Sequence, residues 1–303
     1  MMHIVNKDTC EYCLDCGACD YIDTTYTDTL QAKLNNIKEL YSLSKITPSN
    51  IDKLEIVPSP LPFGYRTRCQ LHVVNGKIGF HKKRSNDLIE INRCVILDER
   101  INKRIKELNF PKNYTAKIEL YLKDGAVCER IVEKKYDNIF YQINDSVNKL
   151  ITDDVLSLTG ATEKDHILEL YCGLGNFTYP ILKSSPKTHI TGIDMRVPIN
   201  KKDNPEFIEA DVLMGIDLLK KQKRLYGFNK LVLDPPRSGA GKKVITALND
   251  CTFEKIVYVS CNPETLMDDA IIMAENGYKW QSIKLFDMFP FTKYLEALSV
   301  FSK

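Results

Sequence analysis

Hydrophobic patterning changes character near residue 160. Beyond it, short runs that are apolar almost throughout occupy residues 166–172, 190–194, 207–211, 231–234 and 256–260, with helical stretches between them. Near-continuous apolar strands that alternate with helices predict a mostly parallel sheet covered on both faces. Earlier in the chain, Leu30, Leu34, Ile37, Leu40 and Tyr41 recur at helical spacing and predict a helix over 29–43. Pro58, Pro60 and Pro62 interrupt the chain, and an alternating pattern follows. Residues 69–74 and 78–80 flank Asn75-Gly76, and residues 116–122 and 127–132 flank Asp124-Gly125, which predicts two hairpins. The expected division is a region over 1–135, with a cysteine segment at 1–20 and a β module at 65–132, and a second region over 136–303.

Composition narrows the class. A hydrophobic fraction of 44%, a charged fraction of 27% and a net charge of +2 describe a globular chain with no overall bias toward polyanions. Arg66, Arg68, Lys82, Lys83 and Arg84 make a local basic cluster that suits nucleic acid or a solvated face. No apolar run is long enough for a membrane span and the first residues are not a signal peptide, so a cytoplasmic protein is expected. Of ten cysteines, Cys10, Cys13, Cys16 and Cys19 crowd into one stretch. In a reducing compartment such a cluster reads as a metal site, and both zinc and iron–sulfur clusters accept four thiolates. No second Cys-x-x-Cys pair follows, so a distant fourth ligand is expected, either Cys94 or Cys69.

The candidate chemistry lies at the ends of the later strands, where ligands bind in open α/β sheets. Gly173-Leu174-Gly175-Asn176 follows the strand at 166–172, and its glycines allow a tight turn and a close approach to a ligand. Asp194, Asp211 and Asp234 stand at the ends of later strands, outlining a crevice for a cationic or hydroxyl-rich ligand. No phosphate loop with its Lys is present and the third Gly of a dinucleotide site is missing, so S-adenosylmethionine fits better than NAD. Cys261, in Ser260-Cys261-Asn262-Pro263, ends another apolar strand and is a candidate nucleophile; a packed, inert thiol is the alternative. Glu296 falls within an apolar strand, where an unpaired carboxylate is costly to bury.

Glu169-Leu170-Tyr171-Cys172-Gly173-Leu174-Gly175-Asn176-Phe177-Thr178, Leu233-Asp234-Pro235-Pro236-Arg237, Ser260-Cys261-Asn262-Pro263 and Asp287-Met288-Phe289-Pro290 occur in one order and spacing. Together they closely resemble the RNA (uracil-5-)methyltransferases, which make 5-methyluridine in ribosomal and transfer RNA. The resemblance implies a Rossmann-like class I methyltransferase sheet with a smaller, β-rich amino-terminal domain carrying an iron–sulfur cluster. It places Gln142, Tyr171, Gly173, Asn176, Asp194, Asp211 and Asp234 on cofactor-binding positions for S-adenosyl-L-methionine. Phe140 and Asp234 fall near the target base. Cys261 matches the nucleophile and Glu296 the general base. Cluster-bearing members show a Cys-x5-Cys-x2-Cys run and a later Cys, which selects Cys10, Cys16, Cys19 and Cys94 as ligands of a [4Fe-4S] cluster.

The expected product is 5-methyluridine in RNA, most readily 23S rRNA, formed by a monomer through a covalent cysteine–uracil adduct; transfer RNA is the alternative. A thiolate on carbon 6 of uracil makes carbon 5 nucleophilic, and the base must leave its stack to reach the thiol. An amino-group methyltransferase leaves Ser-Cys-Asn-Pro without a purpose. A non-catalytic iron–sulfur RNA-binding protein on the same scaffold would not bind the methyl donor. Three departures from the family stand out. Phe291 and Tyr294 replace frequent histidines, so an auxiliary proton relay is not expected there. The stretch between Asp194 and Phe207 holds Pro198 and Pro205 and is too short for the usual crossover helix. No β-barrel RNA-binding domain precedes the cysteine segment in this sequence.

Overall fold

The computed structural model describes residues 3–132, 141–199 and 204–303. Its helices are α1 (Tyr26–Ser42), α2 (Glu99–Glu107), α3 (Asp145–Thr159), α4 (Thr178–Ser184), α5 (Val212–Lys221), α6 (Gly241–Ala247) and α7 (Pro263–Glu275). The first six strands are β1 (Ile56–Val57), β2 (Arg68–Val74), β3 (Lys77–His81), β4 (Leu88–Glu90), β5 (Ala116–Lys123) and β6 (Ala126–Ile131). The rest are β7 (His166–Leu170), β8 (His189–Asp194), β9 (Glu206–Glu209), β10 (Lys230–Leu233), β11 (Lys255–Ser260), β12 (Lys279–Phe286) and β13 (Glu296–Ser302). Contacts divide the chain into two units. One comprises Met1–Lys33, Pro58–Asn148 and Asp287–Lys293; the other comprises Leu34–Val57, Lys149–Phe286 and Tyr294–Lys303.

The first unit is built on an antiparallel sheet in the order β4-β3-β2-β5-β6. Strand β2 alternates strictly, burying Cys69, Leu71 and Val73, because successive side chains point to opposite faces. Cys69 pairs with Leu120 and Leu71 with Ile118, and Ile101 and Ile105 of α2 join the same apolar cluster. On β5 the fully buried Glu119 is held by Arg68, Arg130 and Gln70. Both hairpin turns form where Asn-Gly and Asp-Gly predict them. Asn75 and Gly76 take φ of 51° and 78°, and Asp124 and Gly125 take 50° and 81°, the left-handed pair that a two-residue turn needs. Helix α1 starts at Tyr26, earlier than its apolar spacing suggests, since Thr25 Oγ1 accepts from Asp28 N and donates to its carboxylate.

The second unit carries an eight-stranded sheet in the order β1-β12-β13-β11-β10-β7-β8-β9. Strands β9, β8, β7, β10 and β11 run parallel, while β13 is antiparallel to both its neighbours, β11 and β12. From β7 the chain builds outward through β8 and β9, then returns to β10 on the other side. That reversal opens a crevice beyond the carboxyl ends of β7 and β10. Strand β9 ends at Glu209, not at Asp211; Asp211 caps α5 and accepts from Leu213 N at 3.0 Å. No helix separates β8 from β9 among the described residues, in keeping with the short, proline-interrupted link. No described helix is long and apolar enough to cross a membrane.

Within the first unit, Lys33 and Asp287 form an ion pair with no side-chain exposure on either side. Burial pulls the lysine below its ordinary pKa, and the carboxylate opposes that shift. Removing one member of such a pair strands the other in a low-dielectric interior. Lys33→Met should therefore lower unfolding free energy by about 3–5 kcal/mol in urea titrations, and Lys33→Met with Asp287→Leu by much less. Equal losses in the two proteins would refute the buried-charge account.

Candidate active site

In the second unit the parallel strands deliver their last residues to one edge of the sheet. Leu233 of β10 is in register with Leu170 of β7 and with Tyr258 of β11, which puts Asp234 and Tyr171 on adjacent exits. The Tyr171 backbone takes a left-handed φ of 62° and donates its N–H to Ile193 O. The turn continues through Gly173 and Gly175, at φ of 52° and 87°, conformations in which side-chain-bearing residues are strained. Asp194 sits at the end of β8 and accepts from Gly173 N at 3.0 Å and Arg196 N at 3.0 Å, so its carboxylate fixes the glycine turn. Met195 and Met214, next to Asp194 and on the first turn of α5, are both exposed, offering apolar surface beside these acids.

Strand β13 brings the remaining acid. Because it runs antiparallel to β11, its amino end lies at the carboxyl end of β11. Ser260 pairs with Ala297, and one further step of the same register sets Cys261 opposite Glu296. Asp234 lies within electrostatic range of both. Arg237 is placed by its neighbours: its carbonyl accepts from Asn262 Nδ2 at 3.0 Å and Thr265 Oγ1 at 3.2 Å. Its guanidinium stacks 4.1 Å from the Tyr294 ring centroid. The loop after Arg237 is stapled by Asp269, which accepts from Ala240 N, Gly241 N and the Tyr258 hydroxyl.

Burial dominates the protonation of this edge. It pushes Cys261 up to about 12, helped by Glu296 and Asp234 and opposed by Arg237. Glu296 is held well above the ordinary carboxyl range, by burial first and Asp234 second, with Arg237 again opposing. Asp234 rises to about 7 through burial and the charge of Asp194. Glu169, beneath the turn, rises to about 8 and accepts from the Thr178 hydroxyl. Its other oxygen is buried without a hydrogen-bond partner. Three carboxyls and a thiol that resist ionisation together, beside a cradle of backbone turns, are the environment a cationic ligand would relieve. The donor set thus suits a sulfonium cofactor with ribose hydroxyls, and Tyr171, Gly173, Asp194, Asp211 and Asp234 are the residues at this edge that could hold one. Asn176 lies on the same turn.

Gln142 belongs to the first unit, where its carbonyl accepts from Thr67 Oγ1 at 3.2 Å. Phe140 lies outside the described residues. The cysteine segment of that unit folds into successive turns, with Cys13 N donating to Cys10 O and Cys16 N to Tyr12 O. Cys19 lies within electrostatic range of Cys94, Cys16 and Cys10, and Cys94 within range of Cys16 and Cys10. The four thiols selected by the resemblance therefore gather in one place, although among the described residues no three His, Cys, Asp or Glu side chains reach metal-binding proximity. Cys13 neighbours Cys10 and Cys16. Asn102 was invisible to motif reading yet organises this region. Fully buried on α2, it accepts from Cys94 N at 2.8 Å and donates to Cys94 O and Leu97 O. No sequence pattern of their own marks Arg237, Asp269 and Glu169 as site residues either. Only the Pro-Pro-Arg and Glu-Leu-Tyr contexts hinted at two of them.

A thiol with its pKa near 12 reacts through a scarce thiolate. Alkylation of Cys261 by iodoacetamide should accelerate continuously from pH 6 to pH 9, and Arg237→Ala should slow it. A rate that levels off below pH 8 would contradict this environment.

Comparison with known proteins places these observations in a family. Residues 103–303 match the family described as tRNA (Uracil-5-)-methyltransferase. The chain is 29% identical to a 23S rRNA (uracil(1939)-C(5))-methyltransferase RlmD of Mannheimia succiniciproducens, over 97% of this chain and 81% of that protein. It is 26% identical to an uncharacterized RNA methyltransferase of Thermotoga maritima, over 96% and 83% respectively. Its fold is similar to that of the Pyrococcus abyssi tRNA (uracil-54, C5)-methyltransferase, solved in complex with S-adenosyl-L-homocysteine. That alignment has a TM-score of 0.70 at 22% identity and covers 94% of this chain and 84% of that one. The sheet is thus an α/β methyltransferase fold, and the chain belongs to the tRNA (uracil-5-)-methyltransferase family.

Proposed function

We propose that this protein uses S-adenosyl-L-methionine to form 5-methyluridine in RNA through a covalent bond between Cys261 and the target uracil. The observation that carries the reading is the register of β11 and β13, which sets a thiol opposite a buried carboxyl at the ligand-binding edge. The sulfonium of the methyl donor and the Arg237 guanidinium both favour the thiolate over the thiol. The Cys261 thiolate, its proton released to solvent, adds to carbon 6, and the displaced electron pair makes carbon 5 the nucleophile that takes the methyl group as the donor's sulfur–methyl bond breaks and leaves a neutral thioether. Addition removes the thiolate charge beside Glu296, which lets that acid release its proton to solvent and stand as the carboxylate. Glu296 then takes the proton from carbon 5, the double bond reforms and sulfur departs with its electron pair. Asp234 orients the uracil edge and also faces the cofactor. Asn176 completes the cofactor contacts. The substrate is ribosomal RNA, supported by the RlmD relatives that align along nearly the whole chain.

Cys10, Cys16, Cys19 and Cys94 hold a [4Fe-4S] cluster in this reading, supported by the gathering of those thiols. Such a cluster would cross-link the amino-terminal turns to the Cys94 loop that Asn102 pins. Residues 1–135 then serve as the cluster and RNA-binding region, and 136–303 as the methyltransferase region.

Cys261→Ala should bind S-adenosylmethionine in calorimetry as the native protein does, but produce no 5-methyluridine. Product from this variant would sink the covalent mechanism. Anaerobically purified protein should carry about four irons per chain. Serine at Cys10, Cys16, Cys19 or Cys94 should lower that figure and serine at Cys13 should not; colourless, zinc-containing protein would overturn the cluster. Loss of a single 5-methyluridine from ribosomal RNA in cells without the gene would fix the substrate, and loss from transfer RNA would replace it.

A further inference from the structure

Within the second unit, Arg237 has its backbone and its side chain held separately. Asn262, directly after Cys261, donates its Nδ2 to the Arg237 carbonyl at 3.0 Å, and Thr265 Oγ1 donates to the same oxygen at 3.2 Å. Asn262 is itself fixed, since its Oδ1 accepts from Glu264 N at 3.3 Å to cap α7 and its own N–H donates to Ser260 Oγ at 3.1 Å. The guanidinium carbon lies 4.1 Å from the centre of the Tyr294 ring, two residues before Glu296 in the same unit. Arg237 nevertheless remains exposed. Among the described residues no hydrogen-bond acceptor and no ion-pair partner meets its guanidinium, whereas Arg224 of the same unit is paired with Glu206. Fixing a long charged side chain costs rotamer freedom, and a cation over an aromatic face offsets part of that cost. Stacking occupies the flat face of a guanidinium and leaves the N–H groups around its edge open. The result is a fixed fork of donors facing solvent, beside the turn that carries Cys261.

We propose that this fork binds the phosphodiester of the target nucleotide, with Tyr294 as the positioning residue that holds the Arg237 guanidinium ready for it. The proposal rests on Cys261 marking where the target uracil enters. An extruded nucleotide swings about its own backbone, so its base reaches the thiol only when a flanking phosphate comes to the rim of the pocket. Bases and sugars of RNA are neutral, and the phosphate is the anion that the strand brings to that rim. A guanidinium recognises a phosphate in a planar, two-pronged way that an ammonium cannot. Arg237 is also a cation within electrostatic range of Cys261 and Glu296, so a phosphate seated on it lies close to the reacting groups. A side chain already fixed by stacking loses less freedom when its ligand arrives. Such a contact carries no base identity. It sets the register of the strand and leaves the choice of uracil to the pocket.

The test uses the full-length protein with S-adenosylhomocysteine bound and a synthetic RNA hairpin around a methylated uridine, reading affinity by fluorescence anisotropy. One hairpin is unmodified, and two others carry a single uncharged methylphosphonate immediately 5′ or 3′ of that uridine. In the native protein one of these two should raise the dissociation constant about tenfold, the scale of a hydrogen bond to a charged group. Arg237→Ala should bind the unmodified hairpin about tenfold more weakly, with a salt slope shallower by about one. The sensitive methylphosphonate should then cost that variant less than about twofold more, because the contact is already gone. Tyr294→Ala should lose most of the same sensitivity, and Tyr294→Phe, which keeps the ring, should retain it. Native protein indifferent to both methylphosphonates would overturn the proposal with no substitution made. Arg237→Ala that binds the hairpin as the native protein does and loses only rate would overturn it too, since that confines the arginine to the thiol. Equal methylphosphonate penalties in the native and Arg237→Ala proteins would have the same force. A general loss of folded protein is read apart from these outcomes, because it lowers the stoichiometry of S-adenosylhomocysteine binding. The affinity cycle reads no bond formation, so product from Cys261→Ala would refute the covalent mechanism and leave these outcomes standing.

Discussion

The antiparallel register between β11 and β13 is the constraint on which the site depends. A parallel strand in that position would send its amino end to the far edge of the sheet, away from Cys261. Reversal alone is not enough, because a slip of one residue turns every side chain to the opposite face. The pairing is fixed by burial on both faces: Tyr258, Val259, Leu298 and Phe301 are all interior. Core packing thus selects a register, and the register selects which acid faces the thiol.

That edge gathers groups that resist carrying charge together. Glu169, Asp234 and Glu296 are all raised toward protonation, and Cys261 is held as a thiol. Burying like charges together costs stability, and sites that tolerate this cost gain groups whose protonation a ligand can shift. A sulfonium cofactor has the charge such a crevice favours. Asp269 and Asp194 act differently, since each accepts backbone N–H groups and holds a loop in place. Similar acids therefore do two jobs here: some shape the turns and others wait to change charge.

The first unit shows the same economy with polar groups. Asn102, Asn144 and Lys33 are buried, and each spends its hydrogen bonds on loop backbone rather than on other elements' side chains alone. Loops that must hold a shape without regular pairing require such partners, because unsatisfied buried carbonyls are costly. Asn102 fixes the strand-free stretch at Cys94, and Lys33 and Asn144 fix the stretch ahead of Glu296.

Local patterning determined much of this protein. The Asn75-Gly76 and Asp124-Gly125 hairpins, the apolar parallel strands and the glycine turn after β7 all follow from residue-level preferences acting over a few positions. The thiol of Ser260-Cys261-Asn262-Pro263 was legible as a strand-end group for the same reason. Asp211 was read as a strand end but caps α5, because a cap and a strand terminus look alike until the helix is seen. Arg237, Asp269 and Asn102 escaped notice because their partners lie far along the chain, or, as with Asn102 and Cys94, across a loop with no periodicity. The sequence alone therefore offered Cys261 and Glu296 as candidate reactive groups, one by one. Only tertiary structure decided that they face each other, since strand order and register are set by packing between distant segments and by no local signal.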